Sequence, residues 1–92
     1  MRIKDGLVVS KVMDDYVVMA NNSDIFKGML KLNETGYFIF EAMKEDIDFD
    51  DIVEKLINEY DVSKDKAEED IKIILNRFDD AGLIIKWLII WN

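Results

Sequence analysis

The sequence predicts one α+β domain in which a three-stranded antiparallel sheet is followed by three helices. Strand-like segments fill the first third of the 92 residues, and three capped helical patterns follow them. Strands and helices that are segregated along a chain are typical of α+β architecture. A chain of this length predicts a single domain, 1–92, with a small core.

The predicted sheet is a meander of three strands. Residues 7–13 and 16–20 are rich in Val and aromatic side chains, and Asp14-Asp15 between them is predicted to form a two-residue turn. The segment NNSD at 21–24 is a second turn signal. Residues 25–32 then alternate between an apolar face and a face with two lysines, which indicates a half-buried third strand.

The first helix is predicted to begin after Asn33, a residue type that caps helices well. Ile39, Phe40 and Met43 form its apolar stripe. Gly36 lowers helix propensity, so we expect it to permit a close approach to another backbone.

The second and third helices have clear apolar periodicity. Asp48 is the predicted N-cap of the second, in which apolar residues recur at i, i+3 and i+4 from Phe49 to Tyr60. Ser63 caps the third helix, and Gly82 ends it. The short turn between the two permits a helix-turn-helix arrangement.

The C-terminal run at 83–92 returns to strand-like composition. Both of its faces are largely apolar, and it contains two Trp residues. We expect 84–91 to form an additional strand, since exposed sheet edges attract one. The segment is predicted to cover a binding groove, to lengthen the sheet or to form the seam of a homodimer, and the sequence leaves these three open.

Composition argues against several function classes. The formal net charge of −8 disfavours nucleic acid and anionic membrane surfaces, and no apolar stretch is long enough to span a bilayer. The chain has no Cys and no His, so no usual nucleophile–base pair can be assembled. We therefore expect a cytoplasmic protein without catalytic residues and without a cofactor.

The acidic segment DIDFDD does not predict a metal site. Asp46, Asp48 and Asp50 have calcium-loop spacing, but Asp51 and Ile57 stand where that loop needs Gly and Glu. Solvated carboxylates near a helix start explain the pattern, and no metal is expected.

One row of helix three lies beside its core stripe. Ile73 and Arg77 are one turn apart, and Lys66 and Asp70 continue the row. The row is either a partly exposed flank with one stray apolar residue or the wall of a binding groove.

Motifs across residues 12–85 resemble the PqqD-like family, also called precursor-peptide recognition elements of ribosomally made, modified peptides. LNETG at 32–36 is similar to the family's start of helix one, and Ile52, Val53, Leu56 and Tyr60 match the pattern of its second helix. DVSKDKAEEDI at 61–71 is similar to its entry into helix three. LNRFDDAGLI at 75–84 resembles its Leu-x-x-Leu-x-x-x-Gly-Leu-Ile ending, with Phe78 in place of Leu.

The resemblance implies a winged-helix-like, non-catalytic domain that binds the leader segment of a precursor peptide. Family members present that leader to a modifying enzyme, often a radical SAM protein, and the founding member serves pyrroloquinoline quinone synthesis. The leader adds as a strand to the edge of the third strand and packs on helix three. Carried onto this chain, the groove residues are Lys27, Gly28, Met29, Leu30, Lys31, Lys66, Asp70, Ile73, Ile74 and Arg77.

Two rival functions remain at this stage. A winged-helix DNA-binding regulator would use helix three for recognition, but the acidic first half of that helix would repel phosphate. A small protein-interaction or dimerisation module is the other alternative. A short peptide gene beside a radical SAM gene would distinguish the first interpretation from both.

Overall fold

The computed structural model describes residues 1–20 and 28–85, which form the predicted α+β arrangement. The strands are β1 Arg2–Ile3, β2 Leu7–Val12, β3 Asp15–Ala20, β4 Leu30–Leu32 and β5 Ile84–Ile85. The helices are α1 Glu34–Ala42, α2 Phe49–Glu59 and α3 Lys64–Asp80. One sheet has the antiparallel order β2-β3-β4, and β1 pairs with β5 in a second, two-stranded sheet. The α+β order and the three-stranded sheet are confirmed.

The turn between β2 and β3 lies one residue earlier than predicted. Val12 pairs with Asp15, so the turn consists of Met13 and Asp14, and Met13 has a left-handed φ of 59°. A turn at Asp14-Asp15 would place Lys11 opposite Val18, which is completely buried. The observed register instead places Lys11 opposite Tyr16, with its ammonium 5.8 Å from the ring centroid.

The third strand of the meander is shorter than predicted. Only Leu30–Leu32 pairs with β3, and residues 25–27 of the predicted strand lie outside the described part of the chain. Gly28 has a φ of +91°, which is incompatible with an extended strand. The expectation that Gly28 and Met29 belong to this strand is therefore wrong.

The helix starts are those predicted from the capping residues. The side chain of Asn33 accepts a hydrogen bond from the Gly36 amide at 2.8 Å, and that of Asp48 accepts one from Asp51 at 2.9 Å. Ser63 caps α3 in the same way. Each cap satisfies an amide that has no partner within its own helix.

A single apolar core lies between the sheet and the helices. Its buried members are Ile3, Val18, Leu32, Ile39, Phe40, Met43, Ile52, Val53, Leu56, Ala67, Ile71, Ile74, Phe78 and Leu83. Gly36 brings α1 close to this core, since a Cβ there would lie 3.3 Å from Ile74 Cδ1 and 3.3 Å from Leu32 Cδ2. The close approach is to side chains of α3 and β4, not to another backbone as expected.

The predicted C-terminal strand begins where expected, and its partner is this chain's own N-terminus. Ile84 pairs with Ile3 and Ile85 with Arg2, and the Lys4 amide donates to the Leu83 carbonyl at 2.9 Å. The rest of the predicted strand, 86–91, lies outside the described residues. Groove covering, sheet extension and a dimer seam by that segment remain predictions.

Candidate functional site

The backbone of β3 alternates between its two neighbours. Val12 and Asp15 close a two-residue hairpin, so they form a hydrogen-bonded pair. Along an antiparallel pair of strands, hydrogen-bonded residue pairs alternate with non-hydrogen-bonded pairs. The pair of Ser10 with Val17, two positions from that closing pair, is therefore hydrogen-bonded, and Val17 directs its N–H and C=O toward β2. Its neighbours Tyr16 and Val18 therefore point theirs toward β4.

In the part of the chain that the structure describes, no strand lies on the other side of β4, which we call the open edge. Leu30 pairs with Val18, and Leu32 pairs with Tyr16. Both leucines direct their backbone N–H and C=O groups toward β3, where these groups form hydrogen bonds. Lys31 between them must direct its N–H and C=O away from β3. The strand thus offers one donor and one acceptor, both from Lys31, to a partner outside the sheet.

A cleft of about 330 Å³ adjoins the end of β4. It lies between the start of α1 and one face of α3. Its lining residues are Asn33, Thr35, Lys66, Asp70, Ile73 and Ile74. Asn33 directly follows the last residue of β4, so the cleft and the open edge form one continuous surface, which we call the groove.

Two neighbouring isoleucines of α3 line the cleft but differ in their exposure to solvent. Ile74 is only 8% exposed and belongs to the core, whereas Ile73 is 53% exposed. Met29, just before β4, is 68% exposed. Ile73 and Met29 are therefore apolar side chains that a ligand could cover without disturbing the core.

Charged side chains border the groove. The Lys66 ammonium lies 3.0 Å from Asp70 Oδ1, and the hydrogen bond to Asp70, together with the charges of Asp70 and Glu69, raises the pKa of Lys66. Lys31 Nζ lies 3.1 Å from Asp15 Oδ2. Arg77 reaches from α3 to β4, where its Nη2 donates to the Lys31 carbonyl at 2.6 Å.

The structure brings together most of the residues predicted for the site. Lys66, Asp70, Ile73 and Ile74 line the cleft, and Arg77 contacts Lys31. Lys27 lies outside the described residues, and Gly28 and Met29 precede the strand. The half-buried Leu30 side chain packs against the core, so only its neighbours present groups to the groove.

Sequence reasoning missed two residues of the cleft, Asn33 and Thr35. Their position at the junction of β4 and α1 was the available signal, because the predicted cap already placed Asn33 directly after the third strand. Because Asn33 was interpreted only as a helix cap, its position in the wall of the cleft was not predicted.

Residues 1–20 and 28–85 contain neither a cluster of metal ligands nor a helix of membrane-spanning type. This part of the chain contains no group of three or more His, Cys, Asp or Glu side chains placed to hold a metal ion. None of its helices has the length and apolar character of a membrane span.

Comparisons with known proteins identify the family of the chain and a shared fold. A family model described as coenzyme PQQ synthesis protein D (PqqD) matches residues 15–84. The solved structure of TbiB1 in complex with the TbiA(beta) leader peptide is similar, with a TM-score of 0.74 and 22% identity over 95% of this chain and 98% of that one. Lasso peptide synthetase B1 complexed with the leader peptide has a TM-score of 0.70 and 21% identity over 92% and 96%. No curated protein matches the sequence significantly. At these identities the structural likeness establishes the fold.

Proposed function

This chain belongs to the PqqD family, and from that premise we propose that it binds the leader segment of a ribosomally made precursor peptide without catalysing a reaction. Both similar solved structures are of proteins in complex with a leader peptide. The observation that carries the proposal is the open edge of β4 beside a cleft that combines the exposed apolar side chain of Ile73 with polar and charged side chains. A groove of this form suits an extended peptide.

The leader binds by adding a strand to β4. Its backbone takes the N–H and C=O of Lys31, which supplies affinity that depends little on peptide sequence. Side chains on alternate residues of the leader point to the α3 wall, where they cover Ile73, or to the exposed Met29. Methionine adapts its shape readily, which suits a surface that receives different side chains.

The predicted site residues take their roles from this mode of binding. Lys31 supplies the backbone groups, Ile73 and Met29 supply apolar contacts, and the Lys66–Asp70 pair borders the cleft. Gly28 precedes β4, and its φ of +91° limits the length of the available edge on that side. Lys27 remains a proposed contact on the basis of the family resemblance.

The bound leader is presented to a modifying enzyme, for which a radical SAM protein is the proposed partner by family resemblance. We place this step in the cytoplasm. The absence of His and Cys from the sequence supports a binding role over a catalytic one, since these residues supply most general bases and thiolate nucleophiles.

The test uses a candidate precursor, defined as a short peptide whose gene is found near the gene of this protein. Its N-terminal half, carrying a fluorophore, is titrated with the full chain, and anisotropy is measured. We expect saturable binding at micromolar protein concentration, whereas the C-terminal half of the same precursor should not bind. Equal binding of both halves, or none of the N-terminal half, would contradict the proposal.

A further inference from the structure

The Arg77 side chain spans the groove in the free protein. It extends from the last turn of α3 to the Lys31 carbonyl, 46 residues away in sequence, and donates to it over 2.6 Å. This carbonyl is the only acceptor that described β4 residues direct toward the open edge. Arg77 therefore occupies the one acceptor that the described part of β4 offers to an added strand, while the Lys31 N–H stays open.

An added strand and the Arg77 guanidinium would occupy the same space beside the Lys31 carbonyl. The amide nitrogen of an incoming residue would lie about 2.9 Å from the Lys31 oxygen, in the direction away from β3. The Arg77 Nη2 already lies at 2.6 Å from that oxygen. A neighbouring strand would also run about 4.8 Å from β4, through the space that the guanidinium crosses.

We propose that Arg77 is a latch on the groove, which an incoming peptide strand must displace before it pairs with Lys31. The inference rests on the proposed function and adds a regulatory step to it. In the absence of peptide the latch protects the edge, because an unpaired strand edge is a template for pairing with other chains. It also rejects weak peptides, since binding has to replace an existing charge-assisted hydrogen bond.

The test compares Arg77→Met with the wild-type protein. Methionine keeps an apolar stem of similar length and removes every donor. Lys72→Met is the matched control, because Lys72 is an exposed cation on the same helix whose ammonium lies over Phe49 rather than in the groove. Both variants lose one positive charge, so a difference between them reports the latch and not the net charge.

The readout is the affinity for the N-terminal half of the candidate precursor defined above. We expect Arg77→Met to bind it about threefold to tenfold more tightly than the wild type, the effect of one hydrogen bond that no longer has to be broken. Lys72→Met should bind like the wild type. Equal or weaker binding by Arg77→Met would overturn the latch, while binding by the wild type would leave the proposed function intact.

A second readout needs no peptide. The ¹³C resonance of the Lys31 carbonyl should move upfield in Arg77→Met, because the carbonyl loses its hydrogen bond, and should not move in Lys72→Met. An unchanged resonance would show that Arg77 does not occupy the Lys31 carbonyl and would overturn the latch. If neither the wild type nor either variant bound the peptide, the proposed function would be wrong. The Lys31 resonance would still show whether Arg77 is bonded to the Lys31 carbonyl.

Discussion

Truncation of Ile73 should weaken leader binding without reducing stability. The side chain is 53% exposed in the free protein. Full burial of a large apolar side chain contributes about 1.5–3 kcal/mol, so covering the exposed half contributes roughly 0.8–1.6 kcal/mol. Alanine retains one carbon of this side chain, so we expect Ile73→Ala to raise the leader Kd about threefold to tenfold.

The neighbouring residue Ile74 supplies a matched control, because its truncation is expected to reduce stability. Ile74 is 8% exposed and packs beside Gly36 in the core. Ile74→Ala should cost about 2–5 kcal/mol of unfolding free energy. In a domain of this size that lowers the Tm by roughly 8 °C or more.

The assay pairs titration calorimetry on the leader with thermal melts of both variants. A Tm of Ile73→Ala within about 2 °C of the wild type, with weakened binding, would agree with a groove position. Unchanged affinity of Ile73→Ala would refute the assignment of the groove to this face of α3. A large loss of Tm in Ile73→Ala would instead make the residue part of the core.

Three further predictions concern the fold and the excluded ligand. Ser63→Ala should lower the free energy of unfolding by about 1 kcal/mol, measured by urea titration, because the Lys66 amide loses its cap, and Ser63→Asp should restore it. Gly36→Val should cost roughly 1–3 kcal/mol in the same assay, since its side chain would overlap Ile74 and Leu32; undiminished stability would disprove the close packing. Duplex DNA should show no saturable binding in anisotropy at about 150 mM salt, given the net charge of −8, and sub-micromolar binding there would contradict this.

The helices were predictable because their signals are local. Each cap needs only a short polar side chain and an amide three residues later, as at Asn33, Asp48 and Ser63. The apolar stripes follow from the helical period alone, and the buried positions of α2 and α3 fall on them. These features do not depend on what the rest of the chain does.

The strand ends and the latch depend on contacts between distant segments. β1 has two residues, too few for any pattern, and it exists because β5 pairs with it. The hairpin register was decided by the burial of Val18, which the turn residues do not reveal. The bond from Arg77 to Lys31 joins two elements whose separation only the packed fold defines. The sequence placed Arg77 beside the core stripe and, by family resemblance, in the groove, but it gave no sign of this bond.

If the leader adds as a strand to β4, hydrogen exchange of the Lys31 amide should slow when the leader binds. The Lys31 N–H points to the open edge, so it should exchange quickly in the free protein and become protected when the leader saturates the groove. The amide of Val9 is the control, because the same alternation directs it to the opposite edge of the sheet, along β2. We predict protection of Lys31 with no change at Val9. Protection at Val9 instead, or no change at Lys31 in a saturated complex, would rule out strand addition at β4.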